Sequence, residues 1–337
     1  MVRSPRLPKL VVVTGASAGV GRAAVLAFAR LGADVALLAR DAEALGQVAD
    51  IARNYGVRAL PIALDVAAAH EVEAAADRIE AELGPIDVWV NNAMVTVFAP
   101  VAQMKPEEFA RVTDVTYLGY VWGTMAALQR MRSRNKGVIV QVGSALAYRA
   151  IPLQAAYCGA KHAIRGFTDA LRCELLHEKS NIHVTMVQMP SLNTPQFDWA
   201  KSRMPGAPRP VAPVYEPEVA ARAIVWAATH RRRELYVGLP SIKAIIANKF
   251  VPGYLDRYLA KRAFPGQQRK SPTEPDHTVD LWKPVPGAHR LRGSFSAEAK
   301  SNSASLWLDT HRGAAFGAAL VVGLVAWIAR RRPGVRA

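Results

Sequence analysis

Residues 10–21 read LVVVTGASAGVG, an apolar run followed by a short segment with glycines at positions 15, 19 and 21. The run is typical of a buried β-strand, and the apolar spacing over Val20–Leu31 is typical of a helix. Glycine allows a sharp turn between them and lets a phosphate approach the backbone, where the start of the helix presents unpaired N–H groups. Such turns also serve as plain strand–helix corners. The candidate phosphate contacts are Gly15, Ser17, Gly19, Val20 and Gly21.

The alternation of apolar runs and Ala-rich helical stretches continues to about Val237. Mostly apolar runs indicate strands buried on both faces, as in a parallel sheet covered by helices. We therefore predict an α/β fold, a doubly wound parallel sheet (Rossmann fold) of about seven strands, with ligands beyond the carboxyl ends of the strands. The predicted strands are Leu10–Thr14, Val35–Leu38, Ala59–Leu64, Ile86–Val90, Val138–Val142, Ile182–Gln188 and Leu235–Val237, and the predicted helices include Val20–Leu31, Glu71–Leu83, Pro106–Met131 and Ala155–Glu178.

Length and composition exclude several classes of protein. The chain has 337 residues, of which 51% are hydrophobic and 21% are charged, which is enough for a substantial core. Global disorder, a collagen-like repeat and a small disulfide-stapled domain are therefore excluded. We expect one large domain over residues 1–240, a basic amphipathic helical segment over 241–264, a linker over 265–305 and an apolar helix over 306–337.

Residues at the ends of the next three predicted strands fit a nucleotide. Ala39 leaves the second strand without the carboxylate that would accept hydrogen bonds from an adenosine ribose and repel a 2′-phosphate. Arg40 follows it and offers a forked cation suited to phosphate, which favours NADP(H), with a merely solvated arginine as the alternative. Asp65, followed by Val66, either accepts from an adenine amino group or caps the next helix. Asn91 ends the fourth strand beside the same crevice.

A second group of residues points to proton transfer. Ser144 ends a predicted strand, and Tyr157 and Lys161 lie four residues apart in the following helix, so their side chains share one face. A phenol has an ordinary pKa of about 10, and an adjacent ammonium favours the phenolate and lowers that pKa. With Ser144 holding a substrate oxygen, these groups would suffice for hydride transfer to or from a carbonyl, the cofactor supplying the hydride.

In these motifs and in their order the chain resembles the short-chain dehydrogenases/reductases of the shorter, single-domain kind. The resemblance covers about residues 9–237 and rests on Thr14–Gly21, Asp65, Asn91–Ala93, Ser144, Tyr157 and Lys161. It implies that Tyr157 exchanges a proton with the alcohol or alkoxide and that Ser144 orients the carbonyl. It also implies that Lys161 binds the nicotinamide ribose and lowers the pKa of Tyr157.

Three positions depart from the pattern of that family. Thr116 stands where the family usually has an asparagine that positions a water in a proton relay from the lysine; a hydroxyl would hold that water in another geometry. We keep Thr116 among the catalytic candidates. Met94 replaces a glycine and would crowd the crevice near the nicotinamide. The loop over residues 190–194 lacks the family's glycine, and the resemblance assigns the contact with the carboxamide to Thr194.

The substrate is indicated by composition. In the family that this chain resembles, several segments border the substrate pocket. Here those segments carry apolar residues and few charged groups, which favours a lipophilic carbonyl or alcohol as substrate. Packing without any contact to substrate is the alternative. These residues are Phe98, Leu146, Tyr148, Leu153, Phe197 and Trp199. The Pro-rich residues 202–214 are expected to form either a lid over the pocket or a plain surface loop.

The last hundred residues carry most of the net charge of +16, which predicts an anionic partner. We expect a membrane surface and no nucleic acid, because the sequence has no zinc-ligand spacing or aromatic RNA-binding signature. Gly313–Ala329 is uncharged and, as a helix, would extend about 25 Å, slightly less than a bilayer core. Packing on protein is the alternative. We expect a cytoplasmic catalytic domain that is membrane-associated through the C-terminal helix.

The remaining features define the alternatives. No signal peptide and no metal-ligand constellation is visible, so no metal is expected, and a homo-oligomer is compatible with the sequence. The leading hypothesis is an NADP(H)-dependent oxidoreductase that acts on a lipophilic substrate. One alternative is a nucleotide-binding sensor or scaffold whose catalysis is impaired by Thr116 and Met94. A third hypothesis is a binder of anionic lipid or nucleic acid that merely uses this fold.

Overall fold

The computed structural model describes residues 7–272, 278–287, 289–313 and 327. Seven short, apolar runs form one parallel sheet, whose spatial order is β7-β6-β5-β4-β1-β2-β3. The order reverses between β1 and β4, and a crevice opens there beyond the carboxyl ends of the strands. The predicted doubly wound fold is confirmed. The strands are β1 (Leu10–Thr14), β2 (Asp34–Ala39), β3 (Ala59–Ala63), β4 (Val88–Asn91), β5 (Gly137–Ser144), β6 (Ile182–Met189) and β7 (Glu234–Tyr236).

Helices cover both faces of the sheet. Alternate residues of β1 point to opposite faces, so Val11 and Val13 pack in one buried cluster and Leu10 and Val12 in the other. The first cluster holds α1, α2 and α8, and the second holds α3, α5 and α6. The helices are α1 (Gly19–Arg30), α2 (Ala42–Arg53), α3 (Ala69–Leu83), α4 (Pro106–Thr113), α5 (Gly119–Arg132), α6 (Ala155–His177), α7 (Gln196–Trp199), α8 (Pro217–Thr229), α9 (Leu239–Phe250), α10 (Pro252–Gly266) and α11 (Ala304–Thr310).

One predicted helix, Pro106–Met131, is interrupted. Residues Asp114–Leu118 form a π-helical turn between α4 and α5. The wider turn changes the direction in which the following side chains point, and such turns are frequent at functional sites. The next residue is Gly119, and a larger residue does not fit there because a Cβ would lie 2.8 Å from a methyl carbon of Val66.

The chain beyond β7 packs on the sheet domain. The predicted helical segment over 241–264 consists of two helices, α9 and α10, which meet at Pro252, and residues 268–272 then pair antiparallel with 206–208. The described part of residues 265–305 differs from the expected linker, because Leu281 is fully buried in the second of the two buried clusters. We call residues 278–287 and 289–293 the crevice strap.

Within the described ranges, no helix combines the length and the apolar character that crossing a membrane requires. The predicted apolar helix over Gly313–Ala329 lies outside the described residues, apart from Gly313 and Trp327.

Candidate active site

The glycine motif shapes a crevice of about 170 Å³ beyond β1. Gly15 has a φ of +66°, and a Cβ there would come within 2.8 Å of the Cα of Ala93. Gly21 lies beneath the turn, where a Cβ would meet the carbonyl oxygen of Gly15 at 2.0 Å. Four of the five candidate phosphate contacts, Gly15, Ser17, Gly19 and Val20, line the crevice, whereas Gly21 does not.

Arg40, Asp65 and Val66 line the same crevice at its other end. The guanidinium of Arg40 is not free in solvent, because it donates hydrogen bonds to backbone carbonyl oxygens of the crevice strap. The carboxylate of Asp65 is also engaged: Oδ1 accepts from the N–H of Ala67 at 3.0 Å, and Oδ2 pairs with Arg111. The carboxylate of Asp65 therefore caps the turn that follows its strand, and the residue also lines the crevice.

The structure corrects the position of Asn91. Its side chain is fully buried, accepts from the indole N–H of Trp89 at 2.9 Å and donates to the hydroxyl of Thr124 at 3.0 Å. It lines neither cavity of the site and instead ties β4 to α5. The next residue, Asn92, lines both cavities. Adjacent residues at a strand end point in opposite directions, which the sequence motif alone does not resolve.

Three of the four catalytic candidates converge on a second cavity, whereas the fourth, Thr116, lines neither cavity. Ser144, Tyr157 and Lys161 all line a space of about 570 Å³ beyond β5 and the start of α6. The Nζ of Lys161 lies 5.5 Å from the ring centroid of Tyr157, as two residues one helical turn apart should. The hydroxyl of Ser144 accepts from the N–H of Leu146 at 3.1 Å, which orients it at the end of its strand.

Burial dominates the titration of this site. It raises the pKa of Tyr157 above its usual value, and the hydrogen bond with Ser144 opposes that shift. Burial lowers the pKa of Lys161 to about 7. The sequence predicts that the ammonium draws the phenol towards ionisation, but in this structure Lys161 donates its hydrogen bonds elsewhere. The phenol is consequently held in its protonated form.

A tyrosine that sequence reasoning missed contacts the lysine. The Nζ of Lys161 donates to the hydroxyl of Tyr120 at 3.0 Å and to the carbonyl of Val142 at 2.8 Å. Tyr120 is fully buried, and its own hydroxyl donates to the same carbonyl at 3.0 Å. Thr116 bonds instead to the backbone of Val95, as donor at 2.9 Å and acceptor at 3.1 Å. Tyr120 follows the π-helical turn that contains Thr116, and apolar spacing in the sequence does not reveal that turn.

Met94 and Thr194 lie at the junction of the two cavities, since each lines both. A Cβ on Gly19 would meet the methyl carbon of Thr194 at 3.1 Å, so the loop after β6 closes against the start of α1. This position, between the glycine motif and Tyr157, agrees with the carboxamide contact that the family resemblance assigns to Thr194.

The substrate cavity is mainly apolar, although polar and basic groups also border it. Leu146 and Phe197 line it, as predicted, and Trp199 lines the nucleotide crevice instead. The other predicted aromatic and aliphatic residues lie outside both cavities: Phe98, Tyr148 and Leu153. Pro240, Leu255 and other residues of α9 and α10 form the far wall.

Residues 202–214 form part of this wall. Residues 209–213 line the cavity, and 206–208 are fixed by pairing with 268–272. Arg203 binds both carboxylate oxygens of Glu108 at 2.7 Å. Burial opposes ionisation of this carboxyl, but Arg203, the backbone N–H of Lys105 and Lys201 together outweigh it and hold the pKa of Glu108 at about 2. The segment is therefore an anchored wall of the pocket.

Comparison with known proteins supports this geometry. Residues 9–203 match the model of the short chain dehydrogenase family. An uncharacterized oxidoreductase of Bacillus subtilis, YxnA, is 31% identical over 96% of this chain and 91% of its own length. The chain belongs to the short-chain dehydrogenase family.

Two solved structures extend the comparison. An alcohol dehydrogenase from Thermococcus sibiricus complexed with 5-hydroxy-NADP shares 26% identity with a TM-score of 0.58, over 68% of this chain and 95% of that one. An NAD⁺-bound xylitol dehydrogenase shares 31% identity with a TM-score of 0.53, over 55% of this chain and 70% of that one. The chain is thus an oxidoreductase of a family that uses nicotinamide cofactors.

Proposed function

We propose that this protein is an NADP(H)-dependent oxidoreductase that interconverts a carbonyl and an alcohol on a lipophilic substrate, with Tyr157 as the acid or base. The observation that carries the proposal is the convergence of Ser144, Tyr157 and Lys161 on one cavity next to the glycine-lined crevice. Met94 and Thr194 border both spaces, so a dinucleotide in the crevice would present its nicotinamide to the substrate cavity.

The bound cofactor would supply or accept the hydride. In the reducing direction Ser144 donates a hydrogen bond to the carbonyl oxygen, and Tyr157 gives its phenolic proton to the same oxygen. Burial favours the protonated phenol, which is the form that reduction requires. Lys161, which Tyr120 and Val142 hold in the wall of the second cavity, would bind the nicotinamide ribose, as the family resemblance implies.

Arg40 supports NADP(H) as the preferred cofactor. It places a guanidinium at the end of β2 in the crevice, where a 2′-phosphate would bind. Replacing it (Arg40→Asp) should weaken NADPH binding and shift the Kd ratio towards NADH. Arg30→Ala, at the exposed far end of α1, is the matched control. An unchanged ratio in Arg40→Asp would contradict the assignment.

The size and lining of the second cavity support a lipophilic substrate. Its volume of about 570 Å³ lies within the range of small-molecule sites, and apolar side chains dominate its wall. NADPH oxidation with a panel of aldehydes and ketones of increasing chain length tests this. We expect kcat/KM to rise with apolar length, and a preference for short, polar carbonyls would contradict it.

Exposed apolar and basic residues support membrane association. Phe250 and Tyr254, at the turn between α9 and α10, are 79% and 66% exposed, and Lys249 and Arg257 lie beside them. Such a surface fits an anionic bilayer. Full-length protein should co-sediment with vesicles containing anionic phospholipid. A truncation after Arg312 keeps the surface of α9 and α10 and should weaken this sedimentation, and an unchanged bound fraction in that variant would refute the C-terminal anchor.

The scaffold alternative has one observation in its favour. The crevice strap is already hydrogen-bonded to the start of α1 and to Arg40. A strap fixed in this way is compatible with a protein that binds its nucleotide without turning it over. Under this alternative NADPH binds, no carbonyl in the panel is reduced, and Tyr157→Phe behaves as wild type. Turnover that is lost in Tyr157→Phe would exclude it.

A further inference from the structure

The crevice strap runs along the length of the nucleotide crevice. At the start of α1 the N–H of Gly19 donates to the carbonyl of Arg290 at 3.1 Å. Further along, the N–H of Gly293 donates to the carbonyl of Asn193 at 3.1 Å, in the loop after β6. The strap therefore faces the crevice from the adenosine end to the nicotinamide end, and residues beyond the sheet domain contribute to the cofactor site.

The adenosine end of the strap is fixed on three sides. Leu281 is fully buried in the second apolar cluster of the sheet domain. The N–H of Asp280 donates to the carbonyl of Trp199 at 3.1 Å. Arg40 donates to the carbonyls of Asp280 and Leu281 at 2.6 and 3.4 Å. These contacts fix the backbone of Asp280 beside the guanidinium that would read the ribose 2′ position.

The carboxylate of Asp280 lacks a full set of partners. Its residue lines the crevice, and its Oδ1 is shielded from solvent without a hydrogen-bond partner. Buried carboxylate oxygens are normally hydrogen-bonded, and one that is not marks a place where a ligand can complete the set. Ribose hydroxyls are donors of the kind that this oxygen lacks.

We propose that Asp280 is a cofactor-specificity residue that opposes Arg40: its carboxylate favours the 2′-hydroxyl of NAD(H) and repels the 2′-phosphate of NADP(H). Arg40 and Asp280 together then set the preference between the two cofactors, one from β2 and one from the C-terminal extension. A carboxylate usually performs this task from the end of the second strand, where this chain has Ala39. The inference rests on the proposed use of a nicotinamide dinucleotide.

The charge of Asp280 should depend on pH. Burial raises its pKa to about 7, and the charges of Arg40 and then Arg111 oppose that shift. Burial lowers the pKa of His289, which keeps that neighbour neutral at the same pH. The other charged groups of the crevice are Asp41 and Asp65. Repulsion of the 2′-phosphate by Asp280 is therefore expected above pH 7 and is lost as the pH falls below it.

The test compares dissociation constants of NADPH and NADH for the full-length chain. Asp280→Asn removes the charge and keeps the shape, Asp280→Glu keeps the charge, and Glu298→Gln removes a carboxylate that pairs with Arg209 outside the crevice. Because a like charge next to the 2′-phosphate is removed, we expect Asp280→Asn to raise the NADPH preference about tenfold or more at pH 8. At pH 6 the difference from wild type should shrink. Asp280→Glu and Glu298→Gln should keep the wild-type ratio.

The outcomes separate this inference from the proposed function. Equal changes in both dissociation constants for Asp280→Asn, or an unchanged ratio, would overturn the role of Asp280 and leave the oxidoreductase intact. The retained melting temperature of Asp280→Asn in the absence of nucleotide controls for misfolding, and Asp280→Glu gives a folded comparison that preserves the charge. Failure of the wild-type chain to bind either dinucleotide would overturn both proposals.

Discussion

Removing the hydroxyl of Tyr120 tests how the lysine is held. In Tyr120→Phe, Lys161 loses the acceptor at 3.0 Å and keeps the carbonyl of Val142 at 2.8 Å. A hydrogen bond to a charged group contributes about 1.5–3 kcal/mol. Because the lost bond stabilises the ammonium, the pKa of Lys161, about 7 in the wild type, should fall further by about one to two units. The phenyl ring still fills the buried space, so the packing should remain.

The assay is the pH dependence of kcat/KM for the cofactor, which reports groups of the free enzyme. Lys161 acts as an ammonium, so the parameter falls as the pH rises through the lysine pKa, and this limb should move to lower pH in Tyr120→Phe. The Asp280→Asn background removes the other group expected to titrate near pH 7. Tyr117→Phe is the control, because Tyr117 packs against the buried cluster of Tyr120, Ile164 and Met186. A limb that stays in place, or that moves equally in Tyr117→Phe, would refute the reasoning.

Two further predictions concern the framework of the site. Arg203→Ala leaves Glu108, 2% exposed, with Lys201 at 3.3 Å as its remaining cation, and should lower the free energy of unfolding by about 3 kcal/mol, as for other broken buried pairs. Since the pKa of Glu108 is held at about 2, the ion pair stabilises the protein fully above the ordinary pKa of a glutamate, and this stabilisation is lost as the pH falls towards 2. Urea melts of wild type and Arg203→Ala measure it, and an equal loss of unfolding free energy in the variant at pH 7 and at pH 3 would contradict this. Gly21→Ala places a Cβ 2.0 Å from a backbone oxygen and should abolish dinucleotide binding, which calorimetric titration measures. Gly46→Ala, in open space on α2, is the control and should stabilise the protein by about 0.5–1 kcal/mol in thermal melts. Normal NADPH binding by Gly21→Ala would contradict the prediction.

The sheet was predictable because its strands are distinct in composition. The apolar runs end within about two residues of the observed strands, and the glycine motif occupies the predicted turn. The catalytic candidates could be found for a similar reason: Tyr157 and Lys161 share a helix face, and a strand end carries Ser144 to the same side. These placements depend on local periodicity, which is visible in one sequence.

The remaining features depend on long-range contacts without such periodicity. The crevice strap is rich in Pro, Gly and charge, and it is docked by two buried apolar side chains, Leu281 and Val285, together with hydrogen bonds to its backbone. Which of two adjacent asparagines, Asn91 or Asn92, faces the crevice depends on the pleat at the end of β4. The role of Tyr120 depends on the π-helical turn before it, which apolar spacing does not reveal.

The proton-transfer role of Tyr157 is the central claim, and one substitution tests it directly. NADPH oxidation by the wild-type chain and by Tyr157→Phe is followed by absorbance with the best carbonyl of the panel. The account predicts turnover by the wild type and a loss of about 10²–10⁴-fold in kcat for the variant, with NADPH affinity retained, because the missing proton donor is a single hydroxyl. Equal turnover by the two proteins would contradict it.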